Sequence, residues 1–396
     1  MNSPGPARKS LLMIAYTNYS TDPRVIRAAE AAVDAGYEVD LFALRRKGDP
    51  DVEMVRGVRV FHLRQFRYRG GGLLQYMVAY LEFFFRCFFK TTILYGRKRY
   101  SIVHVHNMPD FLVFCAAIPK LFGRKIILDI HDPMPNTFAS KFKSGEGGFF
   151  FKLLLWQELL SARFADRVVT VHDPVKDLVL VKHGLPASSI HVIANFPDET
   201  VFPLGKNYRL DGKLRMVFHG TILERAGLRT LVEALSKVQN RDKLSMRIIG
   251  EGDFAPQLSQ LIESLKVGDI VSFENRSYPA HEIAARLADA NLGIVPLHIS
   301  SMTNYALPLK LVEYISMGLP SVTVRSAAIN YYFGEEDCLY YQWDDPESLR
   351  ALLDKIAGNP DMLLPYRQRT IGLREKFSWL KEKQKYEEML RELELD

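Results

Sequence analysis

The chain has 396 residues, of which 47% are hydrophobic and 25% charged, so we expect a folded protein with two domains rather than one hydrophobic core. Lysine and arginine exceed aspartate and glutamate by 52 to 46, an excess that suits an anionic small molecule or an anionic membrane surface and is too small to indicate nucleic acid. The three cysteines, Cys87, Cys115 and Cys338, are widely spaced, which argues against a disulfide framework or a zinc-finger site. The apolar run LLMIAY near the N-terminus is too short for a signal-peptide core, and we expect a cytoplasmic protein.

Short apolar runs alternate with helical segments through the first half of the chain. Asp22 is a good N-cap with Pro23 at the first helical position, and Gly36 ends the helix that follows. Asp173 and Pro174 begin a later helix with the same pattern. The predicted strands are Leu11–Tyr16, Glu38–Leu44, Val58–Leu63, Ile102–His106, Lys125–Ile130, Arg167–Val171 and His191–Ala194. Apolar strands separated by helices predict a parallel sheet that is covered on both faces.

A segment rich in proline, glycine and charge, residues 195–213, interrupts this alternation and is interpreted as an interdomain linker. After it, the predicted strands are Leu214–Phe218, Leu244–Ile249, Ile270–Phe273, Leu292–Pro296, Ser321–Val324 and Cys338–Tyr341. The predicted fold class is α/β, with Rossmann-like domains at residues 1–200 and 201–376. Ligands of open α/β sheets bind beyond the carboxyl ends of the strands, so we expect the two sheets to face a central cleft.

The segment ALPLKLVEYISMGLPSV, residues 306–322, has the pattern of a short capped helix. Pro308 suits its first turn and Gly318 suits its C-terminal stop. Free backbone amides would then point out of the helix N-terminus, from Leu309, Lys310 and Leu311. A helix N-terminus carries partial positive charge, so this end is predicted to bind an anion.

Two side chains of this helix extend the prediction from an anion to a nucleotide sugar. Lys310 adds a full positive charge beside the free amides, as a diphosphate requires. Glu313, one turn further on, could accept hydrogen bonds from the vicinal hydroxyls of a ribose. The same spacing also fits an ordinary capped helix in which Lys310 and Glu313 are solvated.

The same segment resembles the donor-binding helix of family-4 retaining glycosyltransferases of the GT-B fold, which include bacterial enzymes of polysaccharide and glycoconjugate synthesis. The matching positions are Pro308, Lys310, Leu311–Val312, Glu313–Tyr314, Gly318 and Pro320. Other segments that look like their counterparts in this family are Asp22–Val39, His104–Phe114, Leu128–Pro135, Phe218–Leu231 and Ile248–Phe254, so the resemblance covers nearly the whole chain. The segment Phe377–Leu390 resembles the terminal helix of the family, which implies that residues 377–396 cross back onto the N-terminal domain.

The resemblance implies a hexosyltransferase that moves a sugar from a nucleoside diphosphate sugar to an acceptor hydroxyl and retains the anomeric configuration. The acceptor is expected to be a glycan or a lipid-linked sugar. The reaction is expected to need no metal and no other cofactor. No pair of carboxylates can be placed as in a retaining glycosidase, so front-face departure and attack is implied instead of a covalent intermediate. Helix amides, Lys310 and Arg225 would meet the charge that develops on the leaving diphosphate.

Three positions depart from the family pattern. Tyr305 stands where the family often has a second glutamate near the donor sugar. Thr221 and Ala226 stand where many members carry an arginine and a lysine that face the diphosphate. We expect Arg225 and Lys310 to supply this charge, although Arg225 could equally be a surface arginine.

The run GEGDFA, residues 250–255, formally satisfies the dinucleotide-binding pattern G-x-G-x-x-A. It lies deep in the second domain and not on its first strand, which disfavours a dehydrogenase. By resemblance, this loop approaches the nucleoside of the donor. Gly250 and Gly252 are therefore assigned to the donor site, together with Gly220 and Thr221.

His131 and Asp132 follow the predicted strand 125–130, at the end where a Rossmann-like sheet places its ligand contacts. By resemblance, His131 faces the donor sugar and the reacting centre, where a neutral imidazole could accept a sugar hydroxyl and steady positive charge at the anomeric carbon. A lone histidine is otherwise more often structural. His106, near the end of the preceding strand, is assigned with Asp132 and Arg24 to the acceptor side.

The segment Leu73–Tyr95 is long enough to span a bilayer, but Glu82, Arg86 and Lys90 fall four apart and predict one charged stripe, which argues against spanning. Its basic neighbours are Arg64, Arg67, Arg69, Arg97, Lys98 and Arg99. Two interpretations stay open. The segment is either a core helix that covers the first sheet, or it binds peripherally to an anionic leaflet near a lipid-linked acceptor.

Two other functions compete with sugar transfer. A GT-B sugar-nucleotide epimerase would use the same donor helix without an acceptor. A catalytically degenerate protein would bind a nucleotide sugar without turnover, and the departures at Tyr305, Thr221 and Ala226 leave room for it. The polar segment 133–148, interpreted as an irregular loop, and the aromatic segment 73–95 favour an acceptor and therefore transfer.

Overall fold

A computed structural model describes residues 9–65, 72–142, 148–206 and 208–395 of the chain. Two compact units are present. The N-terminal unit consists of Met1–Asn195 and Lys381–Asp396, and the C-terminal unit consists of Phe196–Leu380. The described residues of the predicted linker form neither helix nor strand.

The N-terminal unit is built on an eight-stranded sheet. Its strands are β1 Ser10–Ala15, β2 Glu38–Leu44, β3 Val52–Val55, β4 Val58–Leu63, β5 Ile102–His106, β6 Lys125–Ile130, β7 Arg167–Thr170 and β8 Ile190–Val192, in the order β3-β4-β2-β1-β5-β6-β7-β8. Every pair is parallel except β3 with β4. All six residues of β1 are buried, as the predicted parallel sheet requires.

The edge strand β3 is absent from the predicted set. It pairs with β4 across a turn in which Arg56 and Gly57 both have positive φ, 46° and 84°. Its four residues, VEMV, alternate between exposed and half-buried. Such a short, one-sided edge strand lacks the continuous apolar run that marks the buried strands.

The helices of the N-terminal unit lie between these strands. They are α1 Pro23–Asp34, α2 Leu73–Lys98, α3 Ala117–Leu121, α4 Met134–Phe142, α5 Phe149–Phe164 and α6 Asp173–Val175, with 3₁₀ turns at Tyr19–Thr21, Asp110–Ala116 and Ala187–Ser189 and a π-helical turn at Lys176–Leu180. The predicted start of α1 is confirmed, because the Asp22 side chain caps the helix and Pro23 is its first residue. The predicted N-cap Asp173 is wrong, since His172 caps α6 through its ring.

The segment predicted as an irregular loop is also different in the structure. Most of its described part is the helix α4, which begins one residue after Pro133. Residues 143–147 lie outside the described chain, and α5 begins just beyond them. The helical start was missed because Pro133 and Pro135 suggested a loop, whereas proline is well tolerated in the first turn of a helix.

Helix α2 covers the sheet with one face and leaves the other face open. Phe83 and Cys87 are fully buried, while an apolar row along the opposite face is exposed: Leu74, Met77, Val78, Leu81, Phe85, Phe89 and Ile93. Two members of the predicted charged stripe, Glu82 and Arg86, are exposed and form an ion pair at 2.8 Å. Lys90 departs from it, because its ammonium lies 4.4 Å from the ring centroid of Phe61 on the sheet. No helix among the described residues is long and apolar enough to cross a membrane.

The C-terminal helix α7 spans Trp379–Leu395, and from Lys381 onward it belongs to the N-terminal unit. The hydroxyl of Tyr386 lies 2.8 Å from Nδ1 of His104 on β5. The carboxylate of Glu382 accepts a hydrogen bond from the Ala194 amide at 2.7 Å. These contacts confirm the prediction that the terminal helix returns to the N-terminal unit.

The C-terminal unit is built on a six-stranded, fully parallel sheet. Its strands are β9 Leu214–His219, β10 Leu244–Ile249, β11 Val271–Glu274, β12 Leu292–Val295, β13 Ser321–Thr323 and β14 Leu339–Tyr340, in the order β11-β10-β9-β12-β13-β14. The helices are α8 Leu228–Ser236, α9 Ala255–Ser264, α10 Ala280–Leu287, α11 Leu309–Ser316, α12 Ala327–Tyr332, α13 Pro346–Gly358 and α14 Leu363–Leu373. Shorter 3₁₀ turns are Glu224–Ala226, Arg241–Lys243, Pro360–Met362 and Arg374–Phe377. The strand β9 lies at the centre of the sheet, and its carboxyl end carries the site described next.

Candidate functional site

Helix α11 ends as its sequence predicts, but Pro308, predicted in its first turn, precedes it by one residue. Pro308 is the N-cap residue, with extended backbone angles of −66° and 115°. Gly318 adopts a positive φ of 68°, a conformation that costs glycine little. The following amide, of Leu319, donates to the carbonyl oxygen of Tyr314 at 2.8 Å, which completes a C-terminal cap.

The N-terminal amides of α11 are only in part as predicted. The Leu311 amide donates to the carbonyl oxygen of Pro308 at 3.0 Å, so the prediction that it is free is wrong. This bond closes the first turn in a 3₁₀ manner, which often satisfies amides at helix ends. The amides of Leu309 and Lys310 lie in the same turn, where an α-helix provides no intrahelical acceptor.

The C-terminal half of α11 is fixed by contacts with the sheet and with two arginines. The Tyr314 hydroxyl donates to the carbonyl oxygen of Val217 on β9 at 3.2 Å. Gly293 on β12 makes room for this ring, because a Cβ at that position would lie 2.3 Å from it. At the C-terminal end, Arg374 donates to the Ser316 carbonyl at 2.6 Å and Arg367 to the Gly318 carbonyl at 2.7 Å. Cations at the C-terminus suit the helix dipole. Both arginines are distant in sequence from the carbonyls that they bind, by 58 and 49 residues, so local sequence does not reveal them.

Lys310 lies between α11 and the end of β9. Its Nζ is 3.9 Å from the ring centroid of Phe218. At Gly220, which has a φ of 120°, a Cβ would lie 3.3 Å from the Lys310 Cε and 3.4 Å from its Nζ. Glycine is therefore favoured there both by its backbone angle and by the space that the lysine occupies.

The surroundings of Lys310 disfavour its charged form. Burial, together with the positive charge of Arg225, lowers the pKa of Lys310 to about 8, and the nearby Glu313 opposes this shift only in part. A desolvated ammonium with a second cation near it gains from the arrival of an anion. This is the electrostatic property expected of a phosphate site.

Glu313 lies one turn from Lys310 and is half-buried. One of its carboxylate oxygens is 3.1 Å from Nε2 of His219, the last residue of β9, although the ring is not aligned for a hydrogen bond. The His219 ring itself meets Tyr314 edge to face, with centroids 5.4 Å apart. His219 was missed by the sequence analysis, and its position at the end of a central strand was the available signal.

The 3₁₀ turn Glu224–Ala226 after β9 carries Arg225, one of the two residues predicted to supply the charge of the family's basic pair. Arg225 and Thr221 are exposed, whereas Ala226 is buried. The carbonyl oxygen of Arg225 accepts a hydrogen bond from the His298 amide at 3.0 Å, which fixes the turn. The structure thus places Arg225 electrostatically close to Lys310, as expected, while its side chain remains accessible.

Backbone packing, independent of any nucleotide, explains why glycine occupies two positions of the GEGDFA run. A Cβ at Gly250, where φ is 146°, would lie 1.9 Å from the Gly220 carbonyl oxygen. A Cβ at Gly252 would lie 2.3 Å from the Ile222 carbonyl oxygen. The Ile222 amide donates to the Glu251 carbonyl, and the Phe254 amide donates to the Ile222 carbonyl, both at 3.0 Å. The loops after β9 and β10 therefore pack backbone to backbone, and only glycine permits this approach.

In the N-terminal unit, His131 belongs to a buried cluster at the ends of β5 and β6. Its Nε2 is 2.8 Å from the Oδ2 atom of Asp129. His106 Nδ1 is 3.1 Å from the same oxygen, and His104 Nε2 is 3.6 Å from it. His106 is only 1% exposed. It therefore does not face solvent and packs behind His131 inside the unit. These ligand atoms of His104, His106 and Asp129 lie within 4.8 Å of one another and could hold a metal ion.

Arg24 and Asp132 lie close to one another, as their common assignment to the acceptor side requires. Their charged atoms are 3.9 Å apart, and Arg24 also donates to the Asp22 carboxylate at 3.3 Å. Although burial opposes the shift, the charge of Arg24 lowers the pKa of Asp22 to about 2. Asp22 therefore serves both as the cap of α1 and as an anchor for Arg24.

Asn107 fixes the turn that carries His131 and Asp132. Its side-chain oxygen accepts from the His131 amide at 2.8 Å, and its side-chain nitrogen donates to the Asp132 carbonyl, also at 2.8 Å. The same nitrogen donates to Asp110 at 2.8 Å. Burial and the charge of Glu158 raise the pKa of Asp110 to about 7. Local sequence does not single out Asn107, because its partners other than Asp110 are 24 or more residues away in the chain.

With this geometry established, comparison with known proteins gives consistent results. Residues 22–195 match a family model described as a glycosyl transferase 4-like domain, and residues 213–359 match one described as glycosyl transferases group 1. The chitobiosyldiphosphodolichol beta-mannosyltransferase of Candida albicans is 21% identical over 344 residues, which are 82% of this chain and 74% of that protein.

Two solved structures share the fold over almost the whole chain. Sucrose-phosphate synthase from Thermosynechococcus elongatus superposes with a TM-score of 0.76 at 17% identity, covering 98% of this chain and 99% of that one. Anabaena HepE in complex with UDP superposes with a TM-score of 0.68 at 14% identity, covering 97% and 100%. At these identities the superpositions speak for the fold alone.

The chain belongs to the family-4 glycosyltransferases of the GT-B fold, since the two family models account for both of its units in order. This confirms the predicted family, the α/β fold with two Rossmann-like domains, and the enzyme class. The matched models and relatives favour sugar transfer over the epimerase and over the binding-only protein.

Proposed function

We propose that this enzyme uses a nucleoside diphosphate sugar as its donor and binds it in the C-terminal unit. The observation that carries the proposal is the position of Lys310, whose ammonium lies beside Gly220 at the end of the central strand and at the start of α11. A partly desolvated cation, a helix N-terminus and a glycine turn form a set that suits a diphosphate. HepE, which shares the fold, has been crystallised with UDP, and this supports the same ligand class here.

The order of groups along α11 matches the order of groups in such a donor. Lys310 and the accessible Arg225 would bind the diphosphate, and Glu313, one turn further on, would accept hydrogen bonds from the ribose hydroxyls. Charge develops on the diphosphate as the sugar departs, so the same cations would stabilise the transition state more than the ground state. We propose that no metal ion takes part in this step.

For the acceptor, we propose a glycan or a lipid-linked sugar, held by residues of the N-terminal unit. His131 and Asp132 directly follow β6, and Arg24 lies in the first turn of α1, 3.9 Å from Asp132. The Candida albicans relative is, by its name, a mannosyltransferase that acts on a chitobiosyl lipid diphosphate, and this supports an acceptor of that kind. Front-face transfer with retention is the stereochemical course that we propose.

A lipid-linked acceptor would bring the enzyme to a membrane, and two helices of the N-terminal unit carry exposed apolar faces. One is the row on α2 described above. The other lies on α5, where Phe149, Phe150, Leu153 and Trp156 are all exposed. Both helices pack on the turn Asp110–Ala116, through Phe84 with Phe111 and through Phe164 with Phe114.

We propose an anionic lipid surface as the partner of these two faces. The exposed Glu82 on α2 is paired with Arg86 at 2.8 Å, and basic residues stand at the ends of the faces. Arg97 and Arg99, at the end of α2, are exposed, and so is Lys152 on α5. Lys98, predicted to join them, is instead bonded at 3.1 Å to Asp40, which is 1% exposed. Arg67 and Arg69 lie outside the described residues. Apolar burial and basic charge together are what peripheral binding requires.

A thermal-shift screen followed by a transfer assay tests the donor proposal. UDP-, GDP-, ADP- and TDP-sugars are added in turn, and the one that is bound raises the melting temperature by mass action. The bound sugar nucleotide is then incubated with a lipid-linked or soluble glycan acceptor, and the anomeric configuration of the product is read by NMR. The proposal fails if no nucleotide sugar shifts the melting temperature while the protein is folded.

A further inference from the structure

His219 is a buried histidine beside the carboxylate of Glu313, the group proposed above to bind the ribose. It is the last residue of β9, and its Nε2 lies 3.1 Å from Oε2 of Glu313 on α11. Among the residues that the structure describes, no group is hydrogen-bonded to this nitrogen. Buried polar atoms of folded proteins are nearly always hydrogen-bonded, so a buried nitrogen this close to a carboxylate requires an explanation.

The ring of His219 is held in place by Tyr314. The two rings meet edge to face, with centroids 5.4 Å apart and planes at 76°. Tyr314 is fully buried, and its hydroxyl donates to the Val217 carbonyl oxygen at 3.2 Å. The same ring fills the space that Gly293 leaves open. Because Tyr314 is fixed on several sides, the His219 ring beside it has a defined position at the end of the central strand.

The carboxylate of Glu313 has more freedom than the histidine ring. Its side chain is 19% exposed, and the terminal torsion of a glutamate is broad, without a single preferred angle. The distance to His219 is already within the range of a hydrogen bond, so the carboxylate only has to move toward the direction of the N–H. Hydrogen bonds in binding sites are often poorly aligned without the ligand and become aligned in the complex.

This hydrogen bond does not depend on the charge of the histidine. An ionised carboxylate can only accept, so the nitrogen that faces it has to supply the proton. The neutral Nε2–H form and the imidazolium both carry a proton on Nε2, and either of them can donate. A bond to one carboxylate oxygen fixes the orientation of the whole group, which leaves the other lone pairs for a ligand.

We propose that His219 is a positioning residue for the donor nucleotide, which donates to the Glu313 carboxylate and fixes it for the ribose hydroxyls. The inference rests on the proposed function, from which it takes the contact between Glu313 and the ribose. A group that is held in its binding orientation has less freedom to lose when the ligand arrives. His219 therefore contributes to the recognition of the ribose and not to the binding of the diphosphate, which is the part proposed for Lys310.

Nucleotide pairs that differ only in the ribose hydroxyls measure this contribution. UDP, GDP, ADP and TDP are titrated by calorimetry, each beside its 2′,3′-dideoxy analogue, which has the same base and diphosphate. His219→Phe keeps a ring against Tyr314 and removes the N–H. We expect its affinity for the hydroxyl-bearing nucleotide to fall roughly tenfold, as for the loss of one hydrogen bond to a charged group. Its affinity for the dideoxy analogue should be unchanged.

His219→Gln makes the opposite change, because it keeps a side-chain N–H and removes the aromatic ring. A positioning role predicts that His219→Gln retains more of the preference for ribose hydroxyls than His219→Phe does. A role in packing alone predicts the reverse order. The matched control is His281→Phe, at an exposed histidine of α10 in the same unit, which should bind every nucleotide like the wild type. The melting temperature of each variant shows whether it is folded.

The double variant His219→Phe with Glu313→Gln tests whether His219 acts through Glu313. If it does, His219→Phe adds no further loss of affinity in the Glu313→Gln background, since residues that act as one unit are not additive. The inference is overturned if His219→Phe binds like the wild type, weakens both members of a nucleotide pair equally, or adds its full loss to that of Glu313→Gln.

Failure of the proposed function gives different results, which are seen in the wild-type protein. Equal affinity for a nucleotide and its dideoxy analogue would refute the contact between Glu313 and the ribose. Binding of none of the four nucleotides would refute the donor proposal itself. In both cases the inference about His219 is refuted as well, whereas a wild type that prefers the ribose hydroxyls leaves the variants to decide it.

Discussion

The ammonium of Lys310 lies 3.9 Å from the ring centroid of Phe218. This cation, which belongs to the first turn of α11, therefore lies against an aromatic face at the end of β9. Burial in this position lowers the pKa of Lys310 to about 8. The charge that we propose for diphosphate binding is therefore lost as the pH rises through about 8, well below the range in which an exposed lysine titrates. This property leads to the first prediction.

We expect the dissociation constant for the donor nucleotide to rise as pH increases above about 8. The bound diphosphate favours the charged lysine, so the pKa of Lys310 is higher in the complex than in the free enzyme. Binding above pH 8 then takes up a proton, and the affinity falls by up to about tenfold per pH unit until the pKa of the complex is reached. Calorimetry in buffers of different ionisation enthalpy measures both the affinity and the proton uptake.

Lys310→Arg is the control for this pH dependence. A guanidinium remains charged throughout the range, so the slope above pH 8 should disappear even if the affinity itself is reduced. A slope that persists in Lys310→Arg would show that another group titrates and that Lys310 does not bind the diphosphate.

The second prediction concerns Glu313, which we propose as the acceptor for the ribose hydroxyls. Glu313→Gln keeps the shape and removes the charge. Hydrogen bonds to a charged group contribute about 1.5–3 kcal/mol, so nucleotide affinity should fall roughly 10- to 150-fold. The exposed Glu263→Gln on α9 is the control. Nucleotide affinity that equals the wild-type value in Glu313→Gln would remove this residue from the donor site.

A third prediction concerns Arg225, which stands beside the position where the family often has a lysine. Because the side chain is exposed, Arg225→Ala should leave the melting temperature within about a degree or two of wild type, as is usual for surface substitutions. The transfer rate should fall about 10²-fold, the size of effect seen when one donor to a developing charge is removed. If the transfer rate is unchanged, Arg225 is an ordinary surface arginine, and the departure at Ala226 has another explanation.

Metal independence is the fourth prediction. We expect sugar transfer to continue at an undiminished rate in EDTA, because cations of the protein are proposed to stabilise the leaving diphosphate in place of Mg²⁺ or Mn²⁺. Initial rates with and without the chelator, followed by addition of each metal, provide the measurement. Loss of activity in EDTA with rescue by either ion would contradict this proposal.

The fifth prediction is binding to anionic liposomes in a flotation assay at low salt. Each basic group near the surface contributes about 1 kcal/mol, and salt screens this contribution. Arg97→Glu with Arg99→Glu should therefore release most of the protein, and Phe85→Ser with Phe89→Ser should remove the part of the binding that salt does not reverse. Lys98 is left unchanged, because its ion pair with the buried Asp40 makes it a structural residue.

The exposed Arg391 on the C-terminal helix supplies the control for the membrane experiment. Arg391→Glu changes the net charge without touching α2 or α5 and should float like wild type. Transfer to a soluble acceptor analogue should be retained in every variant of the α2 surface. If the wild-type protein does not bind anionic liposomes at low salt, the proposal that the two apolar faces bind a lipid surface is wrong.

Local sequence was sufficient for the elements whose signals are local. The strands Glu38–Leu44 and Leu244–Ile249 were predicted with the bounds that the structure has, because a buried parallel strand is a continuous apolar run between turn residues. The same holds for the cap at Asp22 and the stop at Gly318. Each of these depends on a few neighbouring residues and on backbone preferences that they alone determine.

Only the tertiary structure decided which distant groups meet. Lys98 was expected to be a free basic residue, yet its partner Asp40 is 58 residues away in the chain. Tyr386 joins His104 across 282 residues, and the close approach of Gly250 to Gly220 joins two loops of different strands. Periodicity and capping patterns determine how each segment folds, whereas charge pairing, proton positions and backbone contacts depend on how the segments pack, which no local pattern specifies.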